Sequence, residues 1–341
     1  MRRTVRTLIS AVSALLVVFV LAGCLPSARQ SVVVYVSVDQ NFAEPILERF
    51  EETSGIDVKP VFDVEAAKTT GLVNRIIAEK DRPQADVFWN GEFAQTLLLK
   101  QRGVLAPYQS PVRADIPPQF QDPEGYWTGS AGRARVLLVN TERVSAGQYP
   151  NSIYSLLDDR WPADRVAIAY PLFGTTLTHA AALYATLGDQ KAEEFFNALR
   201  DRGVRLVDGN AVVRDLVVSG QLDFGLTDTD DACGAVRSGA PVALVYPDQD
   251  SLGTLVVVST AALVAGGPNP EPGKKLIDYL TSREVEAALI ESGFSQVPTR
   301  PIASNDTCLP PSQIKPMAID YGTLVERVEP TSRRLSEIFV R

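Results

Sequence analysis

Residues 31–62 read SVVVYVSVDQNFAEPILERFEETSGIDVKPVF, and the pattern within them decides the fold. The first seven, SVVVYVS, are a β-branched and aromatic run of the composition that fills buried strands. Residues 43–53 space their apolar positions at the helical period, Gly55 supplies a stop, and residues 56–62 (IDVKPVF) return to an extended pattern. Strand, helix, strand within about thirty residues is the unit from which parallel sheets are wound.

The alternation continues outward from that unit. Residues 69–80 (TTGLVNRIIAEK) predict a helix with Leu72, Ile76 and Ile77 inward, residues 85–89 (ADVFW) a short buried strand, and residues 92–101 another helix. Residues 126–141 (YWTGSAGRARVLLVNT) mix glycine with a long apolar run and are expected to carry the chain out of this first lobe. The alternation then restarts, with strands at 165–170, 204–208 and 224–227 and helices at 175–187, 191–200, 211–219 and 230–238. Strands at 242–246 and 253–264 are expected to run back toward the first lobe, and helices at 271–294 and 321–340 to cover the outside. The fold class expected is α/β, two doubly wound lobes joined by a strand hinge. Lobe 1 would comprise residues 31–135 and 250–300, lobe 2 residues 136–249, and a C-terminal helical segment residues 301–341.

The N-terminus reads as a lipoprotein signal over residues 1–23. Arg2, Arg3 and Arg6 precede an apolar run over residues 8–20, and Leu21-Ala22-Gly23-Cys24 is a small-residue cleavage site ending in cysteine. Diacylation of Cys24 would anchor the mature protein outside the cytoplasm through a tether over residues 24–30. With 33 basic and 41 acidic residues the chain carries a net charge of -8, which argues against nucleic acid as a partner. Once Cys24 is assigned to lipid, Cys233 and Cys308 remain, and a bridge or two separate thiols are equally open.

Ligands of open α/β sheets bind beyond the carboxyl ends of strands, where helix N–H groups point outward. Three such turns stand out. Gly174-Thr175-Thr176 opens a helix after the strand at 165–170 and suits an anion. Asn210 stands at a second helix start, and Asp228, Asp230 and Asp231 crowd a third, where a cation or ammonium partner would relieve their repulsion. In the first lobe, Ser37 and Asp39 follow one strand and Glu92 another, while Arg133 and Arg135 stand two apart in an extended stretch and brace the same side. The single histidine, His179, falls inside a helix, and zinc-ligand spacing, a serine elbow and a phosphate loop are all missing. The expectation is therefore a non-enzyme without a cofactor, although a secreted carboxylate-dependent hydrolase is a reading from another class.

The segments Val34–Gln40, Ala85–Trp89, Gly132–Val136, Asn210–Val213 and Gly220–Asp223, taken in order and spacing, resemble the ferric-iron-binding class of type II periplasmic binding proteins. The resemblance implies an extracytoplasmic solute-binding component of an ABC importer, acting as a monomer and handing its cargo to a membrane permease. It also implies a ferric ion held with a synergistic anion, as transported ligand and not as cofactor. The family's paired tyrosines fall on Asp230 and Asp231, its histidine on Asp39 and its glutamate near Gly91 or Glu92; its anion turn falls on Gly174, Thr175, Thr176 and Asn210. Without the phenolates, an all-carboxylate iron site of Asp39, Glu92, Asp230 and Asp231 and a site for an anionic or zwitterionic organic ligand, such as an aminoalkylphosphonate or phosphate ester, both stay open.

Overall fold

The computed structural model describes residues 29–63, 70–303, 308 and 314–339, and the folded unit begins at Ser31. The signal read over residues 1–23 and the lipidation site Cys24 lie outside the described residues.

The opening unit forms as its pattern predicts. Strand β1 (Ser31–Val36) leads through helix α1 (Gln40–Ser54) to strand β2 (Asp57–Phe62). Helix α1 ends where Gly55 takes φ 70° and bonds its N–H to the Glu51 carbonyl at 3.0 Å, a left-handed stop that glycine adopts at little cost. Helix α2 (Thr70–Ala78), strand β3 (Val87–Asn90), helix α3 (Ala94–Gln101) and strand β4 (Leu105–Ala106) follow. Because side chains alternate along a strand, Val32, Val34 and Val36 of β1 pack on Ile46, Leu47 and Phe50 of α1. Tyr35 points the other way, into the cluster with Leu72, Val73 and Ile76 of α2. Both faces of β1 are thus covered, as a central parallel strand requires.

Strand β5 (Thr128–Asn140) is buried along its whole length. Beyond it come strand β6 (Val166–Ala169), helices α4 (Gly174–Leu187) and α5 (Asp189–Arg202), strand β7 (Arg205–Val207), helix α6 (Asn210–Val218), strand β8 (Phe224–Asp228), helix α7 (Thr229–Arg237) and strand β9 (Val242–Val245). Strand β10 (Val256–Val264), helices α8 (Pro270–Leu280) and α9 (Arg283–Glu291), and helix α10 (Tyr321–Ile338) complete the chain.

The strand order is β2-β1-β3-β10-β5-β8-β6-β7, with β4 on β10 and β9 on β5. Strand β5 organises it. Residues 128–134 pair with β10 in the first half of the sheet, and residues 135–140 pair with β8 and β9 in the second. The two halves are the two lobes, and the chain crosses between Ala134 and Arg135. One expectation is corrected here: β9 does not run back toward the first lobe but lies against residues 137–140 of β5, so only β10 returns. With β8 on one edge of this half of β5, the other edge is left open, and β9 takes it.

Helix α10 packs against both α3 and α4. Tyr321 at its start lies 5.1 Å from the Phe93 ring, and Phe339 just past its end accepts a 2.7 Å hydrogen bond from the Tyr170 hydroxyl. It therefore bridges the lobes behind the sheet. Cys233 of α7 is bonded to Cys308 across a sequence separation of 75, so the open question about the two thiols closes in favour of a bridge. That link ties α7 to the segment leading into α10.

Candidate functional site

The carboxyl ends of β1, β3, β6, β7 and β8 converge on a cleft of about 510 Å³. Ser37, Asp39, Glu92, Arg133, Gly174, Thr175, Thr176, Asn210, Asp230 and Asp231 all line it. The structure thus brings every sequence-predicted ligand residue to one place, and it gives them different work.

At the helix start the donors are backbone groups. Gly174 adopts φ 56° with nothing within 4 Å of where a Cβ would stand, so its conformation and not its size calls for glycine. The first intrahelical bond runs from the Leu177 N–H to the Phe173 carbonyl at 3.2 Å. The N–H groups of Gly174, Thr175 and Thr176 precede it, on the cleft wall, at the positive end of α4.

The side chains beside that turn are bonded to one another. Arg135, fully buried, donates from one terminal nitrogen to Asp228 Oδ1 at 2.7 Å, to Asn210 Oδ1 at 3.0 Å and to Thr175 Oγ1 at 3.2 Å, and from the other to Thr176 Oγ1 at 3.3 Å. The Thr175 hydroxyl donates to Asp228 Oδ2 at 2.6 Å, and the Asn210 amide donates to the same oxygen at 3.1 Å. Burial pushes the Asp228 carboxyl up, but Arg135, Arg133 and Thr175 outweigh it and hold the group below its ordinary range. The side chains of Thr175, Thr176 and Asn210 thus surround an internal ion pair, while the backbone N–H groups of the turn stand on the cleft wall. His179 packs behind them and stays neutral, pushed down to about 3 by burial and by Arg135.

The acidic corner is arranged otherwise. Strand β5 bulges at Ala131, which takes φ 55°, and the bulge re-aims the strand two residues before Arg133. Arg133 reaches between the lobes, with one terminal nitrogen 2.8 Å from the Gly91 carbonyl and the other 2.8 Å from Asp230 Oδ2. Its guanidinium lies over the Phe294 ring, 4.8 Å from the centroid. Burial works against the Arg133 charge, yet Asp230, Asp228 and Asp39 together hold it firmly protonated. Asp231 accepts a 3.0 Å bond from Arg214, but burial, then Asp230 and Asp228, raise its carboxyl to about 8. Burial raises Asp230 as well, against the pull of Arg133 and with the push of Asp228 and Asp39.

On the first lobe, the Ser37 hydroxyl donates to Asn90 Oδ1 at 2.6 Å. Glu92 accepts bonds from the Ala94 and Gln95 N–H groups at 2.6 and 3.0 Å, from the Asn90 amide at 3.1 Å and from the Thr178 hydroxyl of the opposite lobe at 2.7 Å. It caps α3 and joins it to α4, and burial raises its carboxyl despite those bonds. Asp39 stands half-buried at the entry to α1 with no capping bond from its side chain. Among the described residues no group of three or more histidine, cysteine, aspartate or glutamate side chains stands where it could hold a single metal ion. Sequence reasoning passed over Arg214 and Arg237, which lie on helix faces with no turn signal to mark them, and it read Asp228 only as part of a crowded turn.

A cleft between two wound lobes, entered by helix starts and crossed by β5, is a capture site, and the model of the family described as bacterial extracellular solute-binding protein matches residues 83–321. The chain belongs to that family. This solute-binding protein is 26% identical over 281 residues to Iron uptake protein A1 of Synechocystis sp., covering 79% of this chain and 76% of the other. It is 22% identical over 303 residues to the Fe(3+)-binding periplasmic protein of Serratia marcescens, covering 87% and 88%. Its fold matches that of iron-bound HitA from Pseudomonas aeruginosa with a TM-score of 0.80 at 23% identity, over 91% of this chain and 100% of that one. The two-lobed periplasmic-binding fold is thereby established, and the family is one of extracytoplasmic binding proteins, not of enzymes, so the hydrolase reading finds no support in it.

Proposed function

We propose that this protein captures ferric iron together with an accompanying anion in the interlobe cleft and hands it to the permease of an ABC importer. The observation that carries the reading is the opposition inside one cleft of a helix start free to hold an anion, Gly174 to Thr176, and the carboxylates of Asp230 and Asp231, which leave further ligand positions on the ion to that anion. The names of the relatives from Synechocystis and Serratia support iron as the cargo. Residues 1–24 support delivery from a lipid anchor at Cys24, and the protein would act as a monomer. Closure of the lobes would follow from tighter contact with cargo in the closed state, and the closed surface is what the permease would read.

A second reading has its own observation. No tyrosine lines the cleft among the described residues, and Asp230 and Asp231 already face Arg133 and Arg214. Such a wall suits an anionic or zwitterionic organic ligand, its phosphoryl or carboxylate group on the Gly174 turn. Thermal unfolding of the chain from Pro26 onward, with ferric citrate, ferric phosphate and an aminoalkylphosphonate, separates the two. Cargo at a hundred times its dissociation constant stabilises by about 2.7 kcal/mol. We expect the ferric complexes to give that shift, with iron recovered in elemental analysis; a shift with the phosphonate alone would transfer the site to the second reading.

A further inference from the structure

The place in the cleft that its carboxylates mark out for a cation is already held by a side chain of the protein. Arg133 stands with its guanidinium 2.8 Å from Asp230 Oδ2 and 3.7 Å from Asp228 Oδ2, and Asp39 adds to the field around it. It is pinned from the other side by the Gly91 carbonyl and by the Phe294 ring, so it cannot swing out without breaking contacts to both lobes. A guanidinium does not deprotonate in any accessible range, so its charge stays in place as a metal approaches. Meanwhile Asp230 Oδ1 is buried and accepts no hydrogen bond, leaving an oxygen ready to coordinate beside the arginine. Repulsion from a fixed positive charge at ion-pair distance opposes any bare cation that approaches this oxygen, and burial limits its screening.

We propose that Arg133 is a specificity-determining residue: a resident cation that keeps the cleft from taking up bare metal ions and admits positive charge only in company with an anion. The inference rests on the cleft being the capture site, as above, but not on the cargo being iron. An anion seated on the N–H groups of Gly174 to Thr176 would offset the repulsion from Arg133, and a metal arriving alone has no such compensation.

The test uses trivalent terbium as the bare cation, read by its luminescence in anion-poor buffer. Wild-type protein should bind it weakly, and Arg133→Gln should bind it on the order of 100-fold more tightly, since one unit of opposing charge at short range is removed. Arg133→Lys keeps the charge and should show no gain, and adding Asp230→Asn to Arg133→Gln should abolish it. Should Arg133→Gln fail to fold, Arg133→Gln with Asp39→Asn restores the charge balance at a half-buried position, and its terbium affinity is compared with that of Asp39→Asn alone, so that the lost carboxylate cancels. Equal terbium affinity in wild type and in the folded glutamine variant overturns the inference. A wild-type protein that takes up no ferric complex overturns the proposed cargo and leaves the terbium comparison to be judged on its own result.

Discussion

Two corners of one cleft, a few residues apart in sequence, are built on opposite principles. Around Asp228 the polar groups are nearly closed on themselves: Arg135, Thr175, Thr176 and Asn210 bond to one another and to the carboxylate, only Arg135 Nε is left buried and unmatched, and the turn's N–H groups face the cleft. Around Asp230 and Asp231 the bonding is incomplete, with Asp230 Oδ1 and Arg133 Nε buried and unmatched and the Asp231 carboxyl raised to about 8. A satisfied buried network fixes geometry, whereas an unsatisfied one stores a demand that only a ligand, a proton or a rearrangement meets. The difference teaches that the anion side of this site is preorganised and the acidic side is where selection happens.

The comparison breaks first at Arg135. If the Asp228 corner is a sealed scaffold, Arg135→Ala leaves a buried carboxylate without its partner and should cost about 3–5 kcal/mol in urea unfolding. Replacing both members, Arg135→Met with Asp228→Leu, should recover much of that loss while ruining ligand binding, because the pair orders the turn and does not merely stabilise it. A cost under about 1 kcal/mol for Arg135→Ala would mean that the network is no scaffold.

A smaller effect sharpens the other side. The Asp231 carboxyl sits at about 8 in the folded protein, above the ordinary aspartate value of about 4 in an unfolded chain. The folded state therefore holds the proton more tightly, and the stability this contributes is fully present below about pH 4 and lost as pH rises through about 8. Asp231→Asn should flatten that decline, so that the ligand-free variant melts above wild type at pH 8.5 and near it at pH 4. Asp228, held low, works in the opposite sense and should keep the acid limb of the profile in both proteins. Parallel melting curves from pH 5 to 8.5 would remove the strain assigned to Asp231.

Most of the fold was legible because periodicity is a local property. The β-branched run of β1, the stop at Gly55 and the restart of alternation after β5 each depend on neighbours in sequence. The placement of β9 was not legible, since it depends on which edge of β5 lies open once the lobes have formed. The site was legible as a set of turns and illegible as a set of roles. Thr175, Asn210 and Glu92 stand where strand-to-helix geometry predicts, but whether a hydroxyl or carboxylate serves ligand or scaffold depends on partners far away in sequence: Arg135 for the first two, Thr178 for the last. Arg133 was visible as one of a pair two residues apart, yet nothing in that spacing tells which of the two lies sealed against Asp228 and which reaches Asp230 across the cleft.

The finest cut through the comparison is at Gly174. Its φ of 56° costs an L-residue roughly 1–2 kcal/mol, and no neighbour would touch an added Cβ. Gly174→Ala should therefore lower stability by about 1 kcal/mol, with two ways of responding to the strain. If the turn keeps its conformation, the three N–H groups stay on the cleft wall and affinity for the anion is unchanged. If the turn relaxes to negative φ, part of the stability returns while the N–H row rotates away from the cleft, and affinity falls further than stability does. A preorganised anion seat requires the second pattern whenever the stability loss comes out small, so the smaller the loss of unfolding free energy in this variant, the larger its loss of calorimetric affinity must be. If both stay at their wild-type values, the N–H row does not hold the anion.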